Sequence, residues 1–281
     1  MPAATPGIQQ FLDPAAWRDH RFGLPPDRWQ ALSGRTAWIT GAGTGYGRCI
    51  AVALAAAGAT VILSSRRADK LHDSIAEMRS LGISADKATV IPLDITDSGS
   101  VDAAAAEVRR RYGAAHLLVH SAAVSAGGLP WPLTAMTPEQ WDRVIGTNLT
   151  GSWRICRAAV PDMLESGSCR AVLLTSEAGW AFTPGVGAYN VSKSALNNLG
   201  ASLAAECAAR YPAADVQINV LIPGEARTEM NKGSTISPYT VVPMTLALLS
   251  HPPGGPNGRF FHRDGRHFPF AYAEVYDRSV L

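Results

Sequence analysis

The sequence predicts an α/β fold, a doubly wound and mostly parallel sheet of seven strands with helices on both faces. Three observations carry that reading. Short apolar runs of strand length recur along the chain, and segments of helical period separate them. A glycine-rich stretch, TGAGTGYG (40 to 47), joins the first run to the first helical segment. The composition, 47% hydrophobic and 17% charged over 281 residues, supplies a large core and reads as globular.

Residues 1–34, rich in Pro, Trp and Arg, show no period and read as an N-terminal extension lying over the surface. TAWIT (36–40) is the first strand, and the Ala-rich helix RCIAVALAAAG follows, closed by Gly58. TVILS (60–64) is the second strand; the helix ADKLHDSIAEMRSLG after it carries Leu71, Ile75, Met78 and Leu81 at helical spacing. TVIPL (89–93) and HLLVH (116–120) are the third and fourth strands, with a helix near 98–112 between them. A long helix begins near 137 and strand RAVLLT (170–175) follows it. A helix near 187–209 with Leu196, Leu199 and Leu203 leads to strand QINVLI (217–222). A helix at 238–249 and a strand at GRFFH (258–262) complete the set. No linker breaks the rhythm, so residues 35–263 read as one domain and 264–281 as a C-terminal tail.

The formal charge is +2, and the one basic run, Arg109 to Arg111, lies at a helix end, so no nucleic-acid or membrane surface is indicated. Cys49, Cys156, Cys169 and Cys207 lack CxxC spacing and read as buried free thiols, not disulfides or a metal site. The start of the chain lacks a basic segment followed by an apolar one. No apolar run reaches the roughly 18 to 20 residues that span a bilayer. A soluble, cytoplasmic protein is the expectation.

The turn TGAGTGYG does not fit G-x-G-x-x-G but fits G-x-x-x-G-x-G through Gly41, Gly45 and Gly47, with Thr44 and Tyr46 between them. A turn without Cβ groups lets backbone N–H groups and a helix N-terminus approach a pyrophosphate. In a dinucleotide fold the end of the second strand meets the adenosine ribose, where an acid favours NAD. Here that strand ends Ser64, Ser65, Arg66, Arg67, and a guanidinium suits a 2′-phosphate. NADP is the expected cofactor and NAD the alternative; a solvated arginine pair opening a helix is the competing account.

Tyr189 and Lys193 in GAYNVSK (187–193) stand one helical turn apart. With seven Tyr and four Lys in the chain, such a pair arises too easily by chance to stand alone. Ser176 ends the strand RAVLLTS, thirteen residues before Tyr189, and puts a hydroxyl at the carboxyl edge of the sheet. Asn148, in IGTNLTGSW, is a further polar group inside a helical stretch.

With these in order, the chain resembles the short-chain dehydrogenase/reductase family over about residues 35–263, through TGAGTGYG, LDIT (93–96), Asn148, Ser176, YNVSK and IPGEART (222–228). The resemblance implies a Rossmann fold and an NADP(H)-dependent oxidoreductase that interconverts a secondary alcohol and a ketone. It implies that Tyr189 gives or takes the proton on the substrate oxygen and that Ser176 binds the same oxygen. Lys193 would make the phenol more acidic and hold the nicotinamide ribose, while Asn148 would anchor a relay water. Ser65 and Arg66 fall at the ribose phosphate, Asp94 and Ile95 at the adenine, and Ala122 in the cofactor cradle. Pro223, Gly224 and Thr228 would border the nicotinamide. No metal is expected. A homotetramer or dimer is, through the helices near 137–165 and 187–209; Ile145, Leu149, Trp153 and Cys156 stripe the first, with burial in the chain's own core as the competing account.

Some positions depart from the family pattern. Where relatives carry Asn-Asn-Ala-Gly, this chain has His120, Ser121, Ala122 and Ala123. His120 reads as a hydrogen-bonded structural residue, with a catalytic role as the alternative. The stretch EMNKGSTIS is short for a lid, so an open pocket is expected. The tail aromatics Phe268, Phe270, Tyr272 and Tyr276 would either cover that pocket or meet another subunit. Trp131, Trp180 and Phe182 are expected as apolar walls, with Glu177 as a polar contact beside Ser176. His262 and His267, around a turn carrying Arg263 and Arg266, read as surface residues. The rival functions are a non-catalytic NADP-binding regulator or scaffold, an imine reductase, and a nucleotide-sugar epimerase or dehydratase.

Overall fold

The computed structural model describes residues 12–125, 131–181 and 183–268. Among these residues eight strands form one sheet: β1 (Thr36–Thr40), β2 (Thr60–Ser64), β3 (Ala88–Val90), β4 (Leu117–His120), β5 (Ser168–Leu174), β6 (Asp215–Ile222), β7 (Phe260–His262) and β8 (His267–Phe268). Their order is β3-β2-β1-β4-β5-β6-β7-β8. The first seven run parallel, as predicted. The eighth is a two-residue antiparallel addition to β7 within the stretch read as tail, which corrects the count of seven.

The strands are apolar at successive positions because both faces of the sheet are covered. In β1, Ala37 and Ile39 join the core on one face and Trp38 joins the core on the other. Trp38 keeps its indole N–H satisfied by Ser64 Oγ at 2.9 Å. The first face carries α3 (Gly45–Ala56), α4 (Ala68–Ser80) and α9 (Val242–Leu249). The second carries α5 (Ser98–Tyr112), α7 (Ser152–Glu165) and α8 (Ala188–Arg210). β3 ends at Val90, before the predicted residue 93, although Ile91 N and Leu93 N still donate to Leu63 O and Ser65 O at 3.0 Å; Pro92, between them, faces the open edge.

The long helix expected from 137 is divided. α6 (Pro138–Ile145) opens with a Thr137–Gln140 capping box, and a π-helical turn (Gly146–Gly151) joins it to α7. The wider turn shifts the helix faces, so Cys156 points into the core while Trp153 is 49% exposed. All four cysteines are buried free thiols.

The N-terminal segment does more than cover the surface. Around α1 (Trp17–His20) and α2 (Pro26–Gln30), Phe22, Leu24 and Leu32 are buried in the same cluster as α3 and α9. Phe22 stacks on Tyr239 with ring centroids 5.9 Å apart, and Arg28 donates to Ser250 O at 2.8 Å, capping the end of α9. Among the described residues no helix is long and apolar enough to cross a membrane.

Candidate active site

Because β1 lies between β2 and β4, the connections leaving the carboxyl ends of β1 and β4 pass to opposite faces and leave a crevice between them. A cleft of about 860 Å³ occupies it. Of the residues singled out in the sequence, Gly41, Thr44, Gly45, Tyr46, Ser65, Arg66, Asp94, Ile95, Ala122, Ser176, Tyr189, Lys193, Pro223, Gly224 and Thr228 line this one cleft. Gly47 and Asn148 do not.

The glycine turn is built for close backbone approach. Gly41 has φ +69°, and a Cβ there would stand 2.7 Å from Ala122 N. The loops after β1 and β4 thus pack backbone against backbone at this edge, and the turn lines the cleft at the start of α3, which fits a pyrophosphate. Gly47 serves packing instead: a Cβ would meet Gly41 O at 2.4 Å. Across the cleft, Thr228 approaches the turn, with its methyl 3.1 Å from where a Gly45 Cβ would lie.

The two arginines after β2 divide their work. Arg67 pairs with Glu229 at 2.5 Å, bridging the β2 end to the loop after β6. Arg66 is exposed and makes no hydrogen bond or ion pair among the described residues. Burial raises the Asp94 carboxyl, but hydrogen bonds from Thr96 and the charge of Arg66 outweigh it and hold its pKa below the usual value.

At the other end, Ser176 follows β5 and Tyr189 and Lys193 lie in the first turns of α8. Burial pushes the Tyr189 phenol above its ordinary value, against the pull of a hydrogen bond with Ser176. Lys193 is buried, and loss of water brings its pKa down to about 8. Its ammonium donates to Leu174 O at 3.0 Å and lies 5.7 Å from the Tyr189 ring centroid. Asn148 sits behind the cleft: its Oδ1 accepts from Val124 N at 2.8 Å, and its Nδ2 donates to Val124 O at 2.9 Å and Ser192 Oγ at 3.1 Å.

His120 is buried and bonded at both ring nitrogens, to Thr40 Oγ1 at 2.7 Å and Ser152 Oγ at 2.8 Å. Ser152 donates its proton to Asn148 O at 2.6 Å, so it accepts from His120 Nε2–H, and Nδ1 accepts from Thr40. Burial and the nearby Lys193 bring the His120 pKa to about 3 and keep the ring neutral. This chain of bonds satisfies the Asn148 carbonyl at the π-turn, the group Ser152 N–H would take in a regular α-helix.

Several expectations change. Trp131 lines a separate apolar hollow with Leu133 and Val191. Trp180 stands outside the cleft, edge-on to Phe268 at 5.1 Å. Phe182, Phe270, Tyr272 and Tyr276 lie outside the described residues. Among the described residues, the cleft is lined by polar groups that include Glu177, Arg143, Glu225 and Asn231. His262 is buried, not on the surface, with Nε2 3.5 Å from Glu177 Oε1 and Nδ1 2.8 Å from Asp264 Oδ1. Arg263 turns inward to the loop after β6. Sequence reasoning missed Thr40, Val124, Glu229 and Asn231; only the position of Thr40 at the end of β1 could have signalled one of them.

A family model described as short chain dehydrogenase matches residues 35–237. Oxidoreductase UcpA of Salmonella typhimurium is 35% identical over 202 residues, covering 71% of this chain and 72% of that protein. An uncharacterized NAD-dependent oxidoreductase of Mycobacterium tuberculosis is 35% identical over 187 residues, covering 63% and 67%. A short chain dehydrogenase from Shigella flexneri, solved with NADP, superposes with TM-score 0.75 at 25% identity, over 84% of this chain and 99% of that one.

The buried Lys193 has a thermodynamic signature. Its folded pKa of about 8 lies below the ordinary 10.5, so between those values the unfolded chain binds more protons than the folded one. The penalty for burying the ammonium is therefore full below pH 8 and relieved as pH rises toward 10.5. Unfolding free energies of wild type and Lys193→Met, compared across that window, are expected to shift in favour of wild type as pH rises; a pH-independent difference contradicts this.

Proposed function

The chain belongs to the short-chain dehydrogenase family, and on that premise we propose that it is an oxidoreductase interconverting a secondary alcohol and a ketone with NADP(H). One observation carries the reading: a single cleft has an uncommitted arginine, Arg66, at one end and Ser176, Tyr189 and Lys193 together at the other. Gly41, Thr44, Gly45 and Tyr46 would hold the pyrophosphate, Ser65 and Arg66 the 2′-phosphate, and Asp94 and Ile95 the adenine. Ala122, Lys193, Pro223, Gly224 and Thr228 would hold the nicotinamide half. The cofactor would supply or take up the hydride.

The chain's own residues handle the proton. Tyr189, kept protonated by burial, gives its proton to the substrate oxygen in the reductive direction. Ser176, which lines the same cleft, donates to the same oxygen and fixes it within reach. Lys193 is charged at neutral pH, and its cation favours the phenolate left behind. Asn148 contributes by position, since its amide ties Val124 to Ser192, the neighbour of Lys193. A homotetramer or dimer belongs to the same proposal, supported by Trp153 on α7 and Val191 on α8, which are 49% and 38% exposed.

Consumption of NADPH and NADH, followed by absorbance against a panel of ketones, tests the activity. Tyr189→Phe is expected to lower kcat by about 100-fold or more with dinucleotide binding largely retained. Tight NADPH binding without turnover of any substrate favours the regulator reading instead. Arg66→Ala should weaken NADPH by roughly 10-fold or more and leave NADH nearly unchanged, as expected for loss of a charge-assisted phosphate contact. Equal losses for the two nucleotides refute the NADP assignment.

A further inference from the structure

The loop after β6 presents three successive backbone carbonyls, and side chains from distant parts of the chain hold all three. Arg263, in the turn after β7, donates from Nη1 to Pro223 O at 3.1 Å, to Glu225 O at 2.7 Å and to Thr240 Oγ1 at 2.9 Å. Between those carbonyls, Tyr46 Oη donates to Gly224 O at 2.7 Å. Burial keeps the Tyr46 phenol protonated and therefore a donor. Gly224 has φ +67°, and a Cβ there would stand 2.6 Å from Arg263 Cζ. The guanidinium thus fills the space a side chain would need.

The alternation has a consequence. In a planar trans peptide the C=O and N–H point opposite ways. The carbonyls of Pro223 and Glu225 face Arg263, so the N–H groups of Gly224 and Ala226 face away from it. Neither N–H donates to a protein acceptor among the described residues, and both residues line the cleft. Tyr46 belongs to the glycine turn, so its single bond also joins the β1 side of the cleft to the β6 side.

We propose that Tyr46 and Arg263 are positioning residues that clamp the loop 223–225 and so align its free N–H donors and Thr228 for the nicotinamide half of the cofactor. This rests on the reading that the cleft binds a nicotinamide dinucleotide. Arg263 acts from behind the loop and does not line the cleft. Its effect is therefore confined to the half of the dinucleotide beside the 223–228 segment. The adenosine half, at Ser65 and Arg66, lies away from the clamp bonds, and toward the pyrophosphate Tyr46 offers its backbone N–H, which Tyr46→Phe keeps.

Fluorescence titration tests this on wild type, Tyr46→Phe and Arg263→Lys, with four probes: NADPH, NADH, and the adenosine halves 2′,5′-ADP and ADP. Loss of the Tyr46 bond is expected to weaken the preferred dinucleotide roughly 5- to 10-fold, the worth of one hydrogen bond, and to lower kcat. Arg263→Lys, which keeps the charge but whose shorter side chain withdraws the donor nitrogen from its three acceptors, should give the same pattern. The adenosine half should bind all three proteins within about twofold. If the variants bind the dinucleotide as wild type does, or lose the adenosine half equally, the clamp is wrong. If wild type binds none of the four probes, the cofactor reading fails and takes the clamp with it. Should Arg263→Lys not fold, Tyr46→Phe, which removes one oxygen, decides alone.

Discussion

The parallel pairing of β1 with both β2 and β4 is the constraint on which the rest depends. Thr40 pairs with Ser64 on one side and His120 on the other, so three strand ends finish level with one another. Their chains then part to opposite faces of the sheet and leave a crevice that no side chain has to fill. Gly41 begins at that edge and Ser176 lies at the same edge two residues past the end of β5. Pro223 follows β6 directly. The site is therefore a property of the sheet edge, assembled from residues far apart in sequence.

Holding a lysine in that edge is costly, because burial takes an ammonium away from water. The surroundings offset this with bonds that also fix its helix. Leu174 O accepts from the ammonium, Thr175 Oγ1 donates to Asn197 Oδ1 at 2.6 Å, and Asn197 Nδ2 donates to Gly179 O at 3.2 Å. These bonds set the register of α8 against the end of β5, which brings Tyr189 within reach of Ser176. On the far side, the chain from Thr40 through His120 and Ser152 to Asn148 performs the same service for the π-turn. Polar groups in this core therefore specify geometry, while the apolar clusters on the two faces supply the burial that makes the sheet stable.

Much of this was legible in the sequence, for identifiable reasons. Apolar runs such as TAWIT and TVILS have one solution when both faces of a sheet are covered, and α5 could be bounded because Asp97 caps it and Gly113 ends it. The glycine turn and the Tyr189–Lys193 spacing are local patterns, so they survive translation into structure. What escaped was non-local. The π-turn has no periodic signal. The burial of Phe22 depends on Tyr239, over two hundred residues away. Arg263 looks like a surface residue until the fold carries it behind Gly224. Trp131 and Trp180 stand off the cleft because sequence distance said nothing about which loop residues would face inward.

If Tyr189 gives the proton, its acidity is governed by a dry setting and by nearby positive charge. An ultraviolet titration of tyrosinate, taken as the difference between wild type and Tyr189→Phe, measures it directly. Without nucleotide the difference signal should ionise above the ordinary phenol pKa of about 10, and with saturating oxidised dinucleotide it should ionise below that value. A free protein whose Tyr189 already ionises below it, or a titration that nucleotide leaves unmoved, would contradict the account.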